Sequence, residues 1–371
     1  MKRLLYVIGS GQIGGMELHT LELVKGLLPR GFAVWVVCPD GPIIALFKAA
    51  GAQVVVDQPT FDLDPFYISR LVRLLQSNKI DIVHGHELKA GVAAILAGKL
   101  AKTPLKVIHV HTPISQWPIP VIKKKLEIWL YQFVANHLAD KVVALNNAVK
   151  EIRIRDERIL PDKIVVIPNG INNSLFSGGH KLPKDKTRIF TVGALGRLTE
   201  EKGFPVLLNG FSLFLKRFCG DPEESWPRLI IGGSGRLEDT LKLKAQELGV
   251  YRYVTFAGLI SEEQKPPFFH SLDIFVFPSL AEGFGLVLVE AMAASLPCLA
   301  SDLPVLREVG GEAVEFFRTG DPVDLSEKLY GLYKDYSRRE ALGEAGRKRV
   351  NRNYTQEKFW QSYKGLYEGS L

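Results

Sequence analysis

Short apolar runs alternate with longer amphipathic stretches along the chain. In the first half, Leu4–Ile8, Ala33–Val37, Gln53–Val56, Ile80–Val83, Lys106–Val110, Lys141–Ala144 and Ile164–Ile167 are such runs, separated by segments of helical composition. This βα alternation predicts a parallel sheet flanked by helices. Periodicity is lost over Ser174–Arg188, SLFSGGHKLPKDKTR, where Gly, Pro and Lys gather, and it restarts at Ile189–Val192. The break predicts an interdomain linker. A last helix is expected over Thr355–Tyr367, with Phe359, Trp360, Tyr363 and Tyr367 at helical spacing, an aromatic stripe of the kind that faces a core.

Three strand ends in the second half run into glycine loops. In Asp273–Ala294, DIFVFPSLAEGFGLVLVEAMAA, the run Asp273–Phe277 suits a buried strand, Pro278-Ser279 ends it, Gly283 and Gly285 let the backbone turn closely, and Leu286 onward has helix-forming composition. Free N–H groups at such a helix start attract phosphate. A phosphate held there leaves Glu282 near the attached group and Glu290, about one turn into the helix, near a ribose on the other side. Carboxylates suit hydroxyl-rich ligands because each accepts several hydrogen bonds. An ordinary strand, loop and helix with two solvated glutamates fits the same spacing. In Phe190–Val206, FTVGALGRLTEEKGFPV, a strand runs into Gly193 and Gly196, then Arg197, then Lys202-Gly203. Two cations beside a glycine turn can neutralise a diphosphate without a metal; a solvated loop with Glu200 and Glu201 pairing Lys202 is the alternative. Arg228–Lys242, RLIIGGSGRLEDTLK, repeats the design. Strand carboxyl ends of an open parallel sheet share one rim, where ligands bind.

Together these segments resemble the GT-B glycosyltransferases, specifically the retaining group numbered family 4. The resemblance rests on GRLTEEKG at 196–203, GGSG at 232–235, PSLAEGFGLVLVEAMAASLPCLASDLPVLREV at 278–309 with its E-x7-E arrangement, and GDPVDL at 320–325. Weaker echoes are GGMELHTLELVKGLLPRG at 14–31, DIVHGHE at 81–87, HVHTP at 109–113 and IPNGIN at 167–172. The resemblance implies an α/β fold of two Rossmann-like domains with parallel sheets facing an interdomain cleft. An acceptor-side domain would span 1–175, a linker 176–188 and a nucleotide-sugar donor domain 189–354, with the last helix, 355–371, packing back on the first domain. It further implies metal-independent transfer of a sugar from a nucleoside diphosphate sugar to an acceptor hydroxyl with retained configuration, and no cofactor besides the donor. By resemblance, Arg197 and Lys202 hold the diphosphate, Gly14 and Gly15 approach it, and backbone amides over Gly285, Leu286 and Val287 assist. Glu282, with Gly283 and Phe284 beside it, binds the sugar, and Glu290 binds the ribose. A histidine of HVHTP faces the sugar; His109 fits the family's pattern, and His111 is the alternative. A sugar-nucleotide epimerase on the same fold would share donor binding but need no acceptor.

Length and composition agree. A chain of 371 residues exceeds what one hydrophobic core usually serves, and 46% hydrophobic with 23% charged residues describes a globular protein. The opening apolar run is too short for a signal-peptide core, and no segment approaches about 18 uninterrupted apolar residues, so a cytoplasmic location is expected. Cys38, Cys219 and Cys298 lack metal-type spacing and are expected to be small buried hydrophobes. Residues 1–175 carry 21 Lys and Arg against 14 Asp and Glu, an excess of 7, whereas the remainder carries 26 of each. The asymmetry points the first domain towards an anionic surface or acceptor, whether a sugar, a lipid-linked or a small-molecule acceptor. Within Gln116–Leu138, Lys123-Lys124-Lys125 lie among Trp117, Leu126, Trp129 and Tyr131, a cluster suited to peripheral contact with an anionic membrane face. The alternative is a helix whose apolar side is core. No recognised nucleic-acid module surrounds these residues, and nucleic acid is not expected as a partner.

Three further patterns compete with this assignment. Gly9-Ser-Gly11-Gln-Ile-Gly14 is a formal G-x-G-x-x-G after a strand, with Asp40 about where a ribose-binding acid sits in NAD-dependent oxidoreductases. Gly15 follows directly, and the resembled family uses this loop instead for donor phosphates and acceptor. Asp62-Leu-Asp64 mimics a metal-binding D-x-D but is framed by Pro59 and Pro65 as a loop. His84-Gly-His86 and His109-Val-His111 have same-face strand spacing, and paired histidines can hold a transition metal. Neither pair brings a third ligand at an obvious spacing, and no metal is expected.

Overall fold

The computed structural model describes residues 1–117, 119–176, 189–220 and 222–370. The chain divides into two compact units, Met1–Asn169 with Glu357–Leu371, and Gly170–Gln356. Of the linker expected over 176–188, all but Phe176 lies outside the described residues.

The first unit holds seven parallel strands: β1 (Lys2–Val7), β2 (Phe32–Cys38), β3 (Gln53–Val56), β4 (Ile82–His86), β5 (Leu105–His109), β6 (Lys141–Ala144) and β7 (Ile164–Val166), in the order β3-β2-β1-β4-β5-β6-β7. These correspond to the seven apolar runs read from the sequence. The second unit holds six: β8 (Thr191–Leu195), β9 (Arg228–Gly232), β10 (Val254–Gly258), β11 (Ile274–Phe277), β12 (Cys298–Ser301) and β13 (Glu315–Phe317), ordered β10-β9-β8-β11-β12-β13. In each sheet the direction of growth reverses once, between β1 and β4 and between β8 and β11. Such a reversal parts the loops at the strand carboxyl ends and leaves a crevice there.

Alternation of side chains along β1 explains how the first sheet is covered. Leu4 and Tyr6 share a core with Val24 and Leu27 of the helix Gly15–Leu27 and with Phe359, Tyr363 and Tyr367 of the helix Gln356–Glu368. Leu5 and Val7 face the opposite core, with Leu71 and Leu75 of Pro65–Ser77 and Ala93 and Ala97 of Leu88–Leu100. The same alternation accounts for the glycine in DIVHGHE. His84 and His86 project to the first face, so residue 85 projects to the second, where a Cβ would lie 2.6 Å from the Cα of Gly91. The aromatic stripe at the end of the chain is core, and Trp360 anchors its edge by donating from Nε1 to the Glu22 carbonyl at 2.8 Å.

The competing motifs have structural explanations. Asp64 caps Pro65–Ser77, accepting from the N–H groups of Phe66 at 2.9 Å and Tyr67 at 3.2 Å. The glycine loop after β1 packs on the loop after β2: a Cβ on Gly11 would lie 2.3 Å from the Asp40 carbonyl oxygen, and the Gly11 carbonyl accepts from the Ile43 N–H at 3.2 Å. Cys38 and Cys298 are buried as expected, but Cys219 is exposed, because it follows the last turn of a helix instead of entering a strand. No described helix is long and apolar enough to cross a membrane.

Packing of the terminal helix yields a paired test. A Cβ on Gly26 would lie 2.1 Å from Trp360 Cδ1, whereas one on Gly331, inside the helix Pro322–Lys334, meets nothing within 4 Å. Gly26→Ala should therefore cost about 1–3 kcal/mol through overpacking, while Gly331→Ala should be neutral or stabilising by up to about 1 kcal/mol. Urea denaturation of the two variants measures both.

Candidate active site

The switch point of the second sheet brings the loops after β8 and β11 together. Leu280 N–H donates to the Glu201 carbonyl at 2.8 Å, and Gly203, at φ +66°, sits so close that a Cβ would lie 2.0 Å from the Pro278 carbonyl oxygen. That contact brings Lys202 to Glu282: Lys202 Nζ donates to Glu282 Oε1 at 2.5 Å, and Ser279 Oγ donates to the same oxygen at 2.9 Å. Both side chains are largely buried. Arg197, on the same loop as Lys202, is not drawn in. Its side chain is 76% exposed and its ion pair, at 3.8 Å, is with Glu201.

Gly285, at φ +92°, caps the helix Leu286–Ala293. Glycine is favoured there because the conformation is left-handed and a Cβ would press on Leu306 Cδ2 at 2.9 Å. Leu286 and Val287 are half-buried in the first turn, where N–H groups lack partners within the helix. Phe284 turns its ring inward, edge-on to Tyr354 with centroids 5.6 Å apart, so only its backbone belongs to the loop surface. Glu290 is buried. Its Oε1 accepts from Lys265 Nζ at 2.8 Å, and Lys265 also pairs with Glu262 at 2.7 Å. Glu290 Oε2 is buried without a hydrogen-bond partner. Burial pushes the Glu290 carboxyl above its ordinary range, and Lys265 offsets only part of that.

The first sheet's switch point gathers a different chemistry. Gly14 caps Gly15–Leu27, and a Cβ on Gly15 would meet nothing within 4 Å. Parallel register sets His86 on β4 opposite His109 on β5. His19, from Gly15–Leu27, comes down on both rings and on His111, so that His19, His86, His109 and His111 each offer a ring nitrogen within 4.8 Å of the others. The two histidine pairs that looked separate in the sequence meet in part: His86 of the first pair joins both members of the second, because strand neighbours in space are not neighbours in the chain, while His84 bonds the Tyr367 hydroxyl instead. His19 Nδ1 donates to Asn169 Oδ1 at 2.8 Å, and the Tyr363 hydroxyl lies 3.3 Å from His19 Nε2 and 3.4 Å from His109 Nδ1. Burial lowers the His19 pKa to about 4 and holds His86 and His109 well below the usual imidazole range, with neighbouring rings adding to the effect. These rings are neutral near pH 7. His109 is wholly buried, whereas His111 is only half-buried.

A fully buried ion pair fixes the segment that carries His111. Arg153 Nη1 donates to Glu157 Oε2 at 2.8 Å, and its other amino group donates to the Val110 carbonyl. Glu157 Oε1 accepts from the Ser115 N–H at 3.2 Å. Both ends of residues 110–115 are thereby clamped.

Sequence reasoning passed over Lys265, Ser279, His19, Tyr363, Arg153 and Glu157 as site components. Ser279 and His19 stood inside the motifs already singled out; the strand end at Ser279 was signal enough to raise it, whereas His19, within the helix Gly15–Leu27, is marked only by the strand order that brings it to the other rings. Lys265, before Pro266-Pro267, and the pair Arg153 and Glu157 carry no spacing that marks them.

Two parallel α/β units, each with glycine loops at a switch point and one presenting lysine and carboxylate groups beside a helix start, define the architecture of the GT-B transferases. Residues 13–175 match the family described as Glycosyltransferase Family 4, and residues 178–349 match Glycosyl transferases group 1. The chain is 30% identical over 351 residues to the phosphatidyl-myo-inositol mannosyltransferase of Mycobacterium leprae, covering 91% of this chain and 89% of that protein. It is 25% identical to the capsular polysaccharide biosynthesis glycosyltransferase CapM of Staphylococcus aureus, over 95% of each. Among solved structures, the Anabaena HepE protein in complex with UDP superposes with a TM-score of 0.83 over the whole of both chains at 22% identity. The chain belongs to the group 1 glycosyltransferases and is a glycosyltransferase. This sets aside the oxidoreductase and epimerase alternatives.

The Lys265 pair is testable through stability. Lys265→Met leaves Glu290 buried without its cation and should cost on the order of 3 kcal/mol. Adding Glu290→Gln should recover most of that loss, since the two effects are coupled. Guanidinium denaturation of both single variants and the double variant checks it.

Proposed function

We propose that the protein transfers a sugar from a nucleoside diphosphate sugar to an acceptor hydroxyl, without a metal and with retention of the anomeric configuration. The observation that carries this reading is the meeting of Lys202 with Glu282, 80 residues apart, beside the start of the helix Leu286–Ala293. A cation, a carboxylate and free helix N–H groups match a diphosphate, a sugar hydroxyl and a phosphate oxygen respectively. Lys202 and the solvent-exposed Arg197 bind the diphosphate, assisted by the N–H groups of Gly285, Leu286 and Val287. Glu282, in the loop with Gly283 and Phe284, receives sugar hydroxyls. Glu290 receives the ribose, and its partnerless Oε2 is the acceptor available for that purpose. The UDP complex of HepE supports a uridine nucleotide as the first donor to try.

In the first unit, Gly14 and Gly15 stand where backbone can approach a ligand closely. We assign the sugar-facing histidine to His111 in place of His109, because a wholly buried ring has no surface to present. In the reaction, the bond from the anomeric carbon to the diphosphate oxygen breaks and the acceptor oxygen bonds to that carbon on the same face. The acceptor's proton passes to the departing phosphate oxygen. Preorganised positive charge at the leaving group supplies most of the rate enhancement.

The acceptor side carries its own observation. Along Val121–His137 the side chains of Ile122, Leu126, Trp129 and Phe133 are 85%, 62%, 61% and 47% exposed. At 3.6 residues per turn they fall within about 60° of arc, forming an apolar stripe with Lys123 and Lys125 at its flanks. The alternative in which this helix's apolar side is core holds only for Tyr131, Val134 and Ala135. An apolar stripe edged by lysines matches an anionic bilayer surface, in keeping with a lipid-linked acceptor such as the name of the mycobacterial relative describes.

Turnover of UDP-, GDP- and ADP-sugars with the product anomer read by NMR tests the reaction. Lys202→Ala should lower kcat/KM by about 2–4 kcal/mol in transition-state terms, and wild-type activity should survive EDTA. Near-normal kcat/KM in the variant, or loss in EDTA restored by Mg²⁺, would overturn the corresponding assignment. For the helix, the protein should sediment with vesicles containing anionic lipid, be released by salt, and lose binding on Trp129→Ser or on replacing Lys123 and Lys125 by Ser. Equal, negligible sedimentation with anionic and neutral vesicles would point to a soluble acceptor.

A further inference from the structure

We infer that His19, His86, His109 and His111 form a binding site for a divalent transition metal of the Zn²⁺ class. The four rings come from three separate elements, the helix Gly15–Leu27, β4, and β5 with the residues just beyond it, and their ring nitrogens all lie within 4.8 Å of one another. Four nitrogens bound tetrahedrally at about 2.0–2.1 Å stand roughly 3.3 Å apart. His86 Nδ1 and His111 Nε2 are already at 3.1 Å, sharing a proton that a metal would displace, and side-chain rotation would have to bring in the other two rings.

Independent observations point to a ligand and not merely to a packed core. His109 Nε2 is buried with no hydrogen-bond partner. Leaving a buried polar atom unpaired costs about 1–3 kcal/mol, and a metal would satisfy such an atom. The surroundings also orient the rings as a metal requires. Asn169 Oδ1 accepts from His19 Nδ1, so His19 Nε2 carries a lone pair, which now faces the Tyr363 hydroxyl at 3.3 Å and which a metal would claim; the oxygen of that hydroxyl lies 3.4 Å from His109 Nδ1 and can accept from it. Carbonyl or hydroxyl groups on the second ring nitrogen are the usual outer partners of metal-bound histidine.

The donor set selects the metal. Four imidazoles without a carboxylate suit Zn²⁺, Co²⁺, Ni²⁺ or Cu²⁺ and not Mg²⁺ or Ca²⁺. The site is therefore separate from any ion serving a diphosphate. Resting on the sugar-facing role assigned to His111, a further consequence follows: a metal held here takes that ring, and occupancy suppresses sugar transfer.

The test uses Co²⁺ as a spectroscopic probe on the full chain after chelator treatment. The expected result is a visible absorption of four-coordinate Co²⁺ that saturates at one equivalent and is displaced by Zn²⁺. His19→Gln and His86→Gln should each weaken binding by about 10- to 100-fold, with His270→Gln, outside the cluster, binding as wild type. Circular dichroism and nucleotide binding report whether each variant is folded. Absence of the band, or equal binding by folded His86→Gln and wild type, overturns the site. Zn²⁺ bound at one equivalent with transfer rate unchanged upholds the site and removes His111 from the sugar, whereas loss of activity in step with occupancy supports both.

Discussion

Contact between backbones at the carboxyl ends of the strands is the constraint on which both units depend. Gly233, at φ +119°, lies where a Cβ would be 1.9 Å from the Gly196 carbonyl oxygen, and Gly203 stands in the same relation to Pro278 at 2.0 Å. No side chain fits such gaps, and hydrogen bonds hold the paired backbones together, Gly196 N–H donating to the Gly232 carbonyl at 3.1 Å and Leu280 N–H to the Glu201 carbonyl at 2.8 Å. The loops are thus stitched into one surface before any functional side chain is considered. Lys202 meets Glu282 because its neighbour Gly203 lets the two loops close.

On that surface the second unit keeps its ionisable groups in preformed pairs. A buried pair contributes little net stability, since desolvation consumes most of the attraction. What it provides is position. Lys202 is already oriented by Glu282, and one oxygen of Glu290 is already held by Lys265 while the other stays open. Groups fixed in this way need not reorganise when charge moves, which is the condition under which electrostatic stabilisation of a transition state is most effective. Arg197, by contrast, is solvated, so ordering it has an entropic cost that Lys202 does not incur.

The strands were legible because both sheets are parallel and buried on both faces, which forces continuous apolar runs such as Phe32–Cys38. The carboxylates and the glycines around Gly285 were legible because they stand within one segment. The His19 to His111 cluster was not, since its members meet only through strand order: β4 and β5 are adjacent, and the helix after β1 descends beside them. Exposure was hidden for a related reason. The composition of Val121–His137 is the same whether Trp129 faces a core or solvent, and only the burial of Tyr131, Val134 and Ala135 on the opposite side decides it.

The two switch points solve the same topological problem with opposite electrostatics. In the second unit the rim carries charge in pairs; in the first it carries buried imidazoles that are uncharged near pH 7. A neutral rim gives no net charge attraction to an anion, whereas the second unit's rim holds Lys202 and Lys265 against carboxylates. The excess of 7 positive charges in residues 1–175 is one of Lys and Arg over Asp and Glu, and none of it belongs to these imidazoles. A share of it lies on Val121–His137, where Lys123 and Lys125 are exposed beside an apolar stripe. Surface charge within roughly 8 Å of an anionic bilayer at physiological salt acts through attraction to the whole surface, whereas a buried imidazole acts only on what touches it. The first unit therefore keeps its exposed charge, on an outer helix, apart from its uncharged rings, at the strand ends.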